Sequence, residues 1–252
     1  MIKPVFRTAL ILLFWLGVWS IASYRFGKPL LFPAPLTVIK RLWELLLTKE
    51  FYLITANSLF NILYGILVAV LCGCVLSVIT SKFRLLRAAI LPIMNVIKAT
   101  PVASFILLTL ILLGAESVPS FITALIVIPL VWTNLDEGFA QIDPLLIEVS
   151  RVYAFSPWKR LTSLTFPSLK PYFLSAMRAS IGLAWKAGVA AEILAMPLNS
   201  IGTEIYEARM YLEVVDMFAW TLLVILLSVL LELLFSLLFQ KSKFSKEREE
   251  IA

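Results

Sequence analysis

The stretch EVSRVYAFSPWKRLTSLTFPSLKP, residues 148–171, is a hydrophilic insert between two long apolar runs in the second half of the chain. Its basic residues Arg151, Lys159, Arg160 and Lys170 place it outside the hydrocarbon of a membrane, on the cytoplasmic side where such residues accumulate. Glu148 to Tyr153 can form a helical turn. Ser156 followed by Pro157 is an N-cap and first-turn pair, which predicts a second short helix carrying Trp158 and Leu161. Pro167 and Pro171 are expected to stop that helix before the next apolar run. Two short helices presenting Tyr153, Phe155 and Trp158 form a knob, and a knob needs a socket.

The rest of the composition agrees with a membrane setting. The 252 residues are 61% hydrophobic with a mean hydropathy of +0.95, which describes an all-α, polytopic membrane protein with little mass outside the bilayer and no room for a catalytic domain. The net charge of +6 does not point to nucleic acid, because most basic residues flank apolar runs rather than interleave with aromatics on a soluble surface. Histidine is absent, which removes haem ligation, histidine metal sites and histidine acid–base chemistry. Cys72 and Cys74 lie two apart in one apolar helix and point to different sides, so they cannot pair with each other. No metal or cofactor is expected.

Taken in order, the chain predicts six transmembrane spans, at about 6–24, 55–79, 88–113, 119–137, 172–196 and 217–239. The first resembles a signal peptide, with Lys3 and Arg7 ahead of its apolar core, but is long enough to be retained as a span. Residues 36–48 read as an amphipathic interfacial helix, with Val38, Ile39, Leu42, Leu45 and Leu46 opposite Lys40, Arg41 and Glu44. Lys82, Arg84 and Arg87 follow the second span, and a basic tail follows the sixth. This bias puts both termini in the cytoplasm with the loop at 143–170. No internal repeat supports an inverted-repeat carrier.

At the insert the chain resembles the permease subunits of binding-protein-dependent ABC importers. Their signature is E-A-A, three residues, G, nine residues, then I-x-L-P. Here it reads Glu148-Val149-Ser150, then Ala154 in the glycine position, then Leu164-Thr165-Phe166-Pro167. The resemblance extends over roughly residues 31–238. Phe32-Pro33-Ala34-Pro35, Lys98-Ala99-Thr100-Pro101, and Gly182-Leu183-Ala184-Trp185 leading to Ala190-Ala191-Glu192 are similar to the branch carrying nitrate, alkanesulfonates and taurine. It implies a bacterial inner-membrane subunit whose loop is a coupling helix docked on a separate ATPase. The coupling residues would be Glu148, Ser150, Tyr153, Ala154, Phe155, Ser156, Pro157, Trp158, Leu164 and Pro167. It further implies two ATPase copies, a second permease subunit that would make a homodimer, and an external substrate-binding protein. The chain has no G-x-x-x-x-G-K-[ST] phosphate loop, so if ATP drives it, another chain binds the nucleotide.

Charged residues inside predicted spans are the remaining signal, since one at the bilayer centre costs about 2.5–3.5 kcal/mol on insertion scales and normally faces protein or water. Lys98 precedes the Pro101 kink. Arg178, Gly182 and Lys186 recur every four residues along the fifth span, beside Trp185 and with Glu192 near its outer end. These seven residues are the predicted translocation pathway, and Glu192 is the expected partner of Lys186. Three basic residues against one acidic favour a small anion or zwitterion as cargo. A pyrimidine or other vitamin-type precursor is the alternative cargo. A stand-alone channel or secondary carrier using Lys98, Lys186 and Glu192 as a relay is the rival of another class.

Overall fold

The computed structural model describes residues 4–27 and 31–249, with side chains described for 10–27 and 31–237; Lys3, the side chain of Arg7 and the side chains of the basic tail therefore lie outside the described residues. Among these residues every regular element is a helix. In order they form α1 (Pro4–Phe26), α2 (Pro35–Leu46), α3 (Lys49–Lys82), α4 (Arg84–Ala99), α5 (Val102–Leu113), α6 (Val118–Ala140), α7 (Pro144–Val152), α8 (Pro157–Arg160), α9 (Phe166–Ala195), α10 (Ile201–Met210) and α11 (Val214–Glu249). Three segments, Lys49–Lys82, Ala115–Ala140 and Val214–Leu237, are long and apolar enough to cross a bilayer alone. The α4/α5 pair makes up to a fourth, with a bend of 102° between its halves.

That bend falls inside the run predicted at 88–113. Pro101 donates no N–H, and the residue before it is driven out of the helical region, so Thr100 is extended at φ −80°, ψ 135° while its own N–H closes the last turn of α4 on Val96 O at 3.0 Å. Pro101 then opens α5. The 30-residue α9 is interrupted by Arg178, Lys186 and Glu192, and α1 contributes an apolar stretch, Leu10–Phe26.

The core is built from α3, α6 and α9, with α11 and α2 laid against it. Gly188 of α9 shows why these axes can come so close: a Cβ there would lie 2.6 Å from Ile62 Cγ1 of α3 and 2.9 Å from Thr123 Oγ1 of α6. Small residues at such crossings let backbones pack where lipid supplies no hydrophobic drive between helices. Ile62, Val127, Val131 and Ala184 fill the interior around this crossing. Further along, Trp132 Nε1 donates to Thr80 Oγ1 at 3.0 Å, satisfying a polar pair inside the α3–α6 seam. The amphipathic α2 turns Val38 and Leu42 inward and exposes Leu36, Ile39 and Trp43. Arg41 fixes it to the start of α11 through a two-pronged bond to Asp216, Nε to Oδ1 and a terminal nitrogen to Oδ2, both at 2.7 Å.

Pro167 and Pro171 do not end the helix that starts at Pro157. The backbone runs from α8 through a π-helical turn, Leu161–Thr165, directly into α9, with Pro167 in its first turn and Pro171 inside it. The wider turn shifts the hydrogen-bond register just ahead of Pro167, which gives the ring room and absorbs the missing donor. Loop and fifth apolar segment are thus one element.

The tight crossing makes a direct prediction. Gly188→Val overpacks Ile62 and lowers stability by about 1–3 kcal/mol, as inserted methyl groups in filled cores do, and Ile62→Ala in the same chain restores part of it. Thermal unfolding of the purified chain in detergent reads both effects; an unchanged midpoint for Gly188→Val contradicts the packing.

Candidate functional site

The loop is a helix–turn–helix whose turn is specified residue by residue. Asp143 caps α7 by accepting from Leu145 N at 2.8 Å, with Pro144 at the first helical position. At the other end, Phe155 N–H donates to Ser150 O at 2.9 Å and Ala154 N–H donates to Arg151 O at 3.0 Å. This bond pair closes a helix when the residue after the C-cap is left-handed, and that residue is Ala154, at φ +48°. Glycine is the usual occupant because it has no Cβ to strain. Ser156 then caps α8, accepting from Lys159 N at 3.2 Å, with Pro157 following.

The turn presents Tyr153 and Trp158 to solvent, each 73% exposed, with Glu148 exposed on α7. Phe155 is placed otherwise than the sequence suggested. It is half-buried, turned back toward the ends of α3 and α6, and Lys159 Nζ stands 4.4 Å over its ring. Ser150 and Leu164 are buried, Ser150 Oγ donating to Ile147 O at 2.7 Å. The knob therefore carries two outward aromatics on a frame held from within by Ser150, Phe155 and Leu164.

Along α9 the predicted pathway residues separate into exposed and buried side chains. Arg178 and Lys186 are exposed together with Leu183 and Ala190, and neither cation has a salt-bridge partner among the described residues. Trp185 is fully buried, its Nε1 donating to Val224 O of α11 at 2.9 Å. Gly182 is buried under Glu232 of α11, whose Oε1 occupies the place a side chain would take. Lys98, at the end of α4, donates to Thr133 Oγ1 at 2.6 Å, and Thr133 donates on to Pro129 O at 2.6 Å. Pro101 is exposed at the bend.

Glu192 does not meet Lys186. It is fully buried, and its Oε2 accepts from Ser58 Oγ of α3 at 2.9 Å and from Gly202 N at the start of α10 at 3.0 Å; Ser58 Oγ in turn accepts from Ile201 N at 2.9 Å. A carboxylate at a helix N-terminus is favourably placed against free N–H groups and the positive end of the dipole. Around it, Asn57 Nδ2 donates to Leu198 O and Asn199 O at 3.1 and 3.0 Å, and Leu198 N donates to Glu116 Oε1 at 2.9 Å. Asn57, Ser58 and Glu116 thus pin the connection between α9 and α10. Sequence reasoning missed them because the partners lie up to 143 positions away. Only the polarity of Asn57 and Ser58 in an otherwise apolar run could have marked them.

Arg41 and Glu204 belong to this same end of the molecule. Burial, then the nearby Glu207, Glu50 and Asp216 carboxylates, raise the Glu204 carboxyl above its usual range. Arg41 is ion-paired at this acidic end, bonded to Asp216 and Glu44. The opposite end holds the basic loop, where Lys82 of α3 and Arg160 share one cavity wall. The chain thus has an acidic and a basic end, with the Arg178 and Lys186 face between them. Among the described residues no cluster of His, Cys, Asp or Glu could hold a metal ion.

Comparison with known proteins gives a consistent set of relatives. Residues 50–243 match the family described as binding-protein-dependent transport system inner membrane component. The chain is 26% identical over 218 residues to the nitrate import permease protein NrtB of Synechococcus elongatus, covering 82% of this chain and 77% of that protein. It is 31% identical over 165 residues to the bicarbonate transport system permease protein CmpB of a Synechocystis species, covering 64% and 58%. It is 24% identical over 188 residues to the putative aliphatic sulfonates transport permease protein SsuC of Bacillus subtilis, covering 74% and 68%.

The left-handed alanine yields a test of the loop geometry. A non-glycine residue in this conformation is strained by about 1–2 kcal/mol, so Ala154→Gly should raise the thermal midpoint of the purified chain, and Ala154→Val should lower it. Equal midpoints for all three would mean that residue 154 is not left-handed.

Proposed function

The chain belongs to the binding-protein-dependent transport system inner membrane components, and from that premise we propose that it is the membrane-spanning permease subunit of an ATP-driven importer for a small anion. The observation that carries this reading is the loop itself: a helix–turn–helix with the family spacing, a structured frame, and two exposed aromatic side chains. Such a knob fits a groove on a separate ATPase, two copies of which would serve two permease subunits. A second copy of this chain completes the pathway, and an external binding protein delivers the cargo.

The charges at the two ends of the molecule support a topology. Six spans at the positions given by the hydropathy, with α1 first and α9 fifth, put both termini and the loop in the cytoplasm of a bacterial inner membrane. In support, Lys82 and Arg160 sit at one end, and the acidic residues Glu50, Glu204 and Asp216 at the other.

The continuous helix from Pro157 to Ala195 suggests how force is transmitted. It is roughly 60 Å long at 1.5 Å per residue, stiff apart from its π-helical turn, and joins the knob to the charged face of α9. When the ATPases close, a push on Tyr153 and Trp158 would tilt this lever, opening the pathway to one side and then the other. Catalysis lies on the ATPase; this chain contributes a change of shape.

Arg178 and Lys186 point away from the chain's own core, where lipid would leave them unsolvated and a water-filled pathway between two subunits would not. Lys98 at the α4 end adds a third cation. Gly182, Trp185 and Glu192 shape the frame behind this wall. The positive potential favours anions, as does the resemblance to permeases named for nitrate, bicarbonate and aliphatic sulfonates.

Two experiments check these roles. Tyr153→Ala with Trp158→Ala should weaken the hold on the ATPase, about thirtyfold for each aromatic that acts as an interface anchor of roughly 2 kcal/mol, and abolish uptake while insertion is unaffected. Unchanged uptake and association sink the coupling role. Lys186→Met, assembled with native partners, should lose uptake of anionic cargoes and keep that of neutral ones; full anion transport would return Lys186 to a structural role.

A further inference from the structure

Two cavities adjoin at the basic end of the molecule and form one groove. The outer, about 620 Å³, is lined by Lys82, Phe139, Ile142, Phe155 and Arg160 among others. The inner, about 430 Å³, runs along Val70, Cys74, Leu135, Phe166, Phe173 and Leu174. They share Val78, Phe139, Leu161 and Thr165, so the apolar slot opens directly into the basic vestibule. The π-helical turn forms the wall between them.

We propose that this groove binds an anionic phospholipid, its phosphate held between Lys82 and Arg160 and one acyl chain laid in the slot between α3, α6 and the head of α9. Charge complementarity selects this occupant. The vestibule is lined by two cations and no carboxylate, and neither cation makes a salt bridge among the described residues. Polar side chains are confined to Ser77, Thr165 and Lys170 in the slot, whose remaining lining is apolar apart from the thiol of Cys74. An amphiphile with a negative head and a hydrocarbon tail matches both parts. Because lipid tails are as apolar as the slot, the tail contributes little preference by itself; discrimination rests on the head group.

The site has a mechanical consequence. Phe155, Pro157 and Leu161 in its wall belong to the loop, while Val78 and Lys82 belong to α3. A lipid between them buttresses the knob against α3 and α6 and stiffens the start of the lever. Membrane composition would then set how firmly the loop is held.

The test uses the full chain purified in detergent, without ATPase or transport, so its outcome is separable from that of the importer reading. Native mass spectrometry compares retention of phosphatidylglycerol and phosphatidylcholine with identical acyl chains. The expected result is a preference for phosphatidylglycerol of about tenfold or more, falling to parity in the Lys82→Gln, Arg160→Gln chain, which should unfold at the same temperature as the parent. In parallel, phosphatidylglycerol carrying a diazirine on its acyl chain should label residues 161–174. Equal retention of the two lipids by the parent, a preference untouched by the double substitution, or labelling confined to other surfaces would overturn the proposal. Absence of label because a second copy covers the groove, seen as a Cys74–Cys74 cross-link, would overturn it also.

Discussion

Close approach of α3, α6 and α9 at residues without bulk is the constraint on which the other features depend. With Gly188 seated on Ile62 and Thr123, the axes come near enough that a buried Glu192 can reach Ser58, and Trp185 can reach a carbonyl of α11. Those bonds lock the rotation of α9. Once its rotation is locked, Arg178 and Lys186 have only one direction to face, which is away from the chain's own core. Against lipid that arrangement is costly, and a neighbour or water on that side would relieve the cost.

The same rigidity links the two ends. The Glu192, Asn57 and Glu116 cluster fastens the end of α9 to α3 and to the connection before α10, while the loop at the other end is built on the same helix. A displacement of the knob cannot be absorbed by a break at Pro167, because the π-helical turn carries the helix through it. It would appear as a tilt of α9, a strain on the Glu192 cluster or a bend at the π-helical turn itself. This is the behaviour expected of a transmission element, and residues that merely connected two spans would need none of it.

Much of this was legible locally. Ser156-Pro157 announced the start of α8, and the family spacing marked position 154 as a glycine site, which the structure explains by its positive φ. Hydropathy located α3, α6 and α11. What could not be read depends on phase and distance. Trp185 and Lys186 are adjacent yet one is buried and the other exposed, and charge spacing alone does not say which side of a helix is inside; the small residues Ala184, Ala187, Gly188 and Ala191, all buried, carry that information. Glu192 found its partners in Ser58, 134 positions away, and at the start of α10 rather than on its own helix. The continuity through Pro167 ran against the local rule that proline ends a helix, because a wider turn can absorb what proline removes.

The outward face of α9 is the central claim, and its accessibility can be measured directly. With Cys72 and Cys74 replaced by serine, single cysteines at Lys186, Ala190 and, as a lipid-facing control, the exposed Leu67 of α3 would be exposed in native membranes to a charged, membrane-impermeant thiol reagent. Positions 186 and 190 should react and change their reactivity when ATP is supplied to the assembled transporter, while position 67 stays silent. If position 186 is as unreactive as position 67 in every state, the charged face of α9 does not line a water-filled pathway.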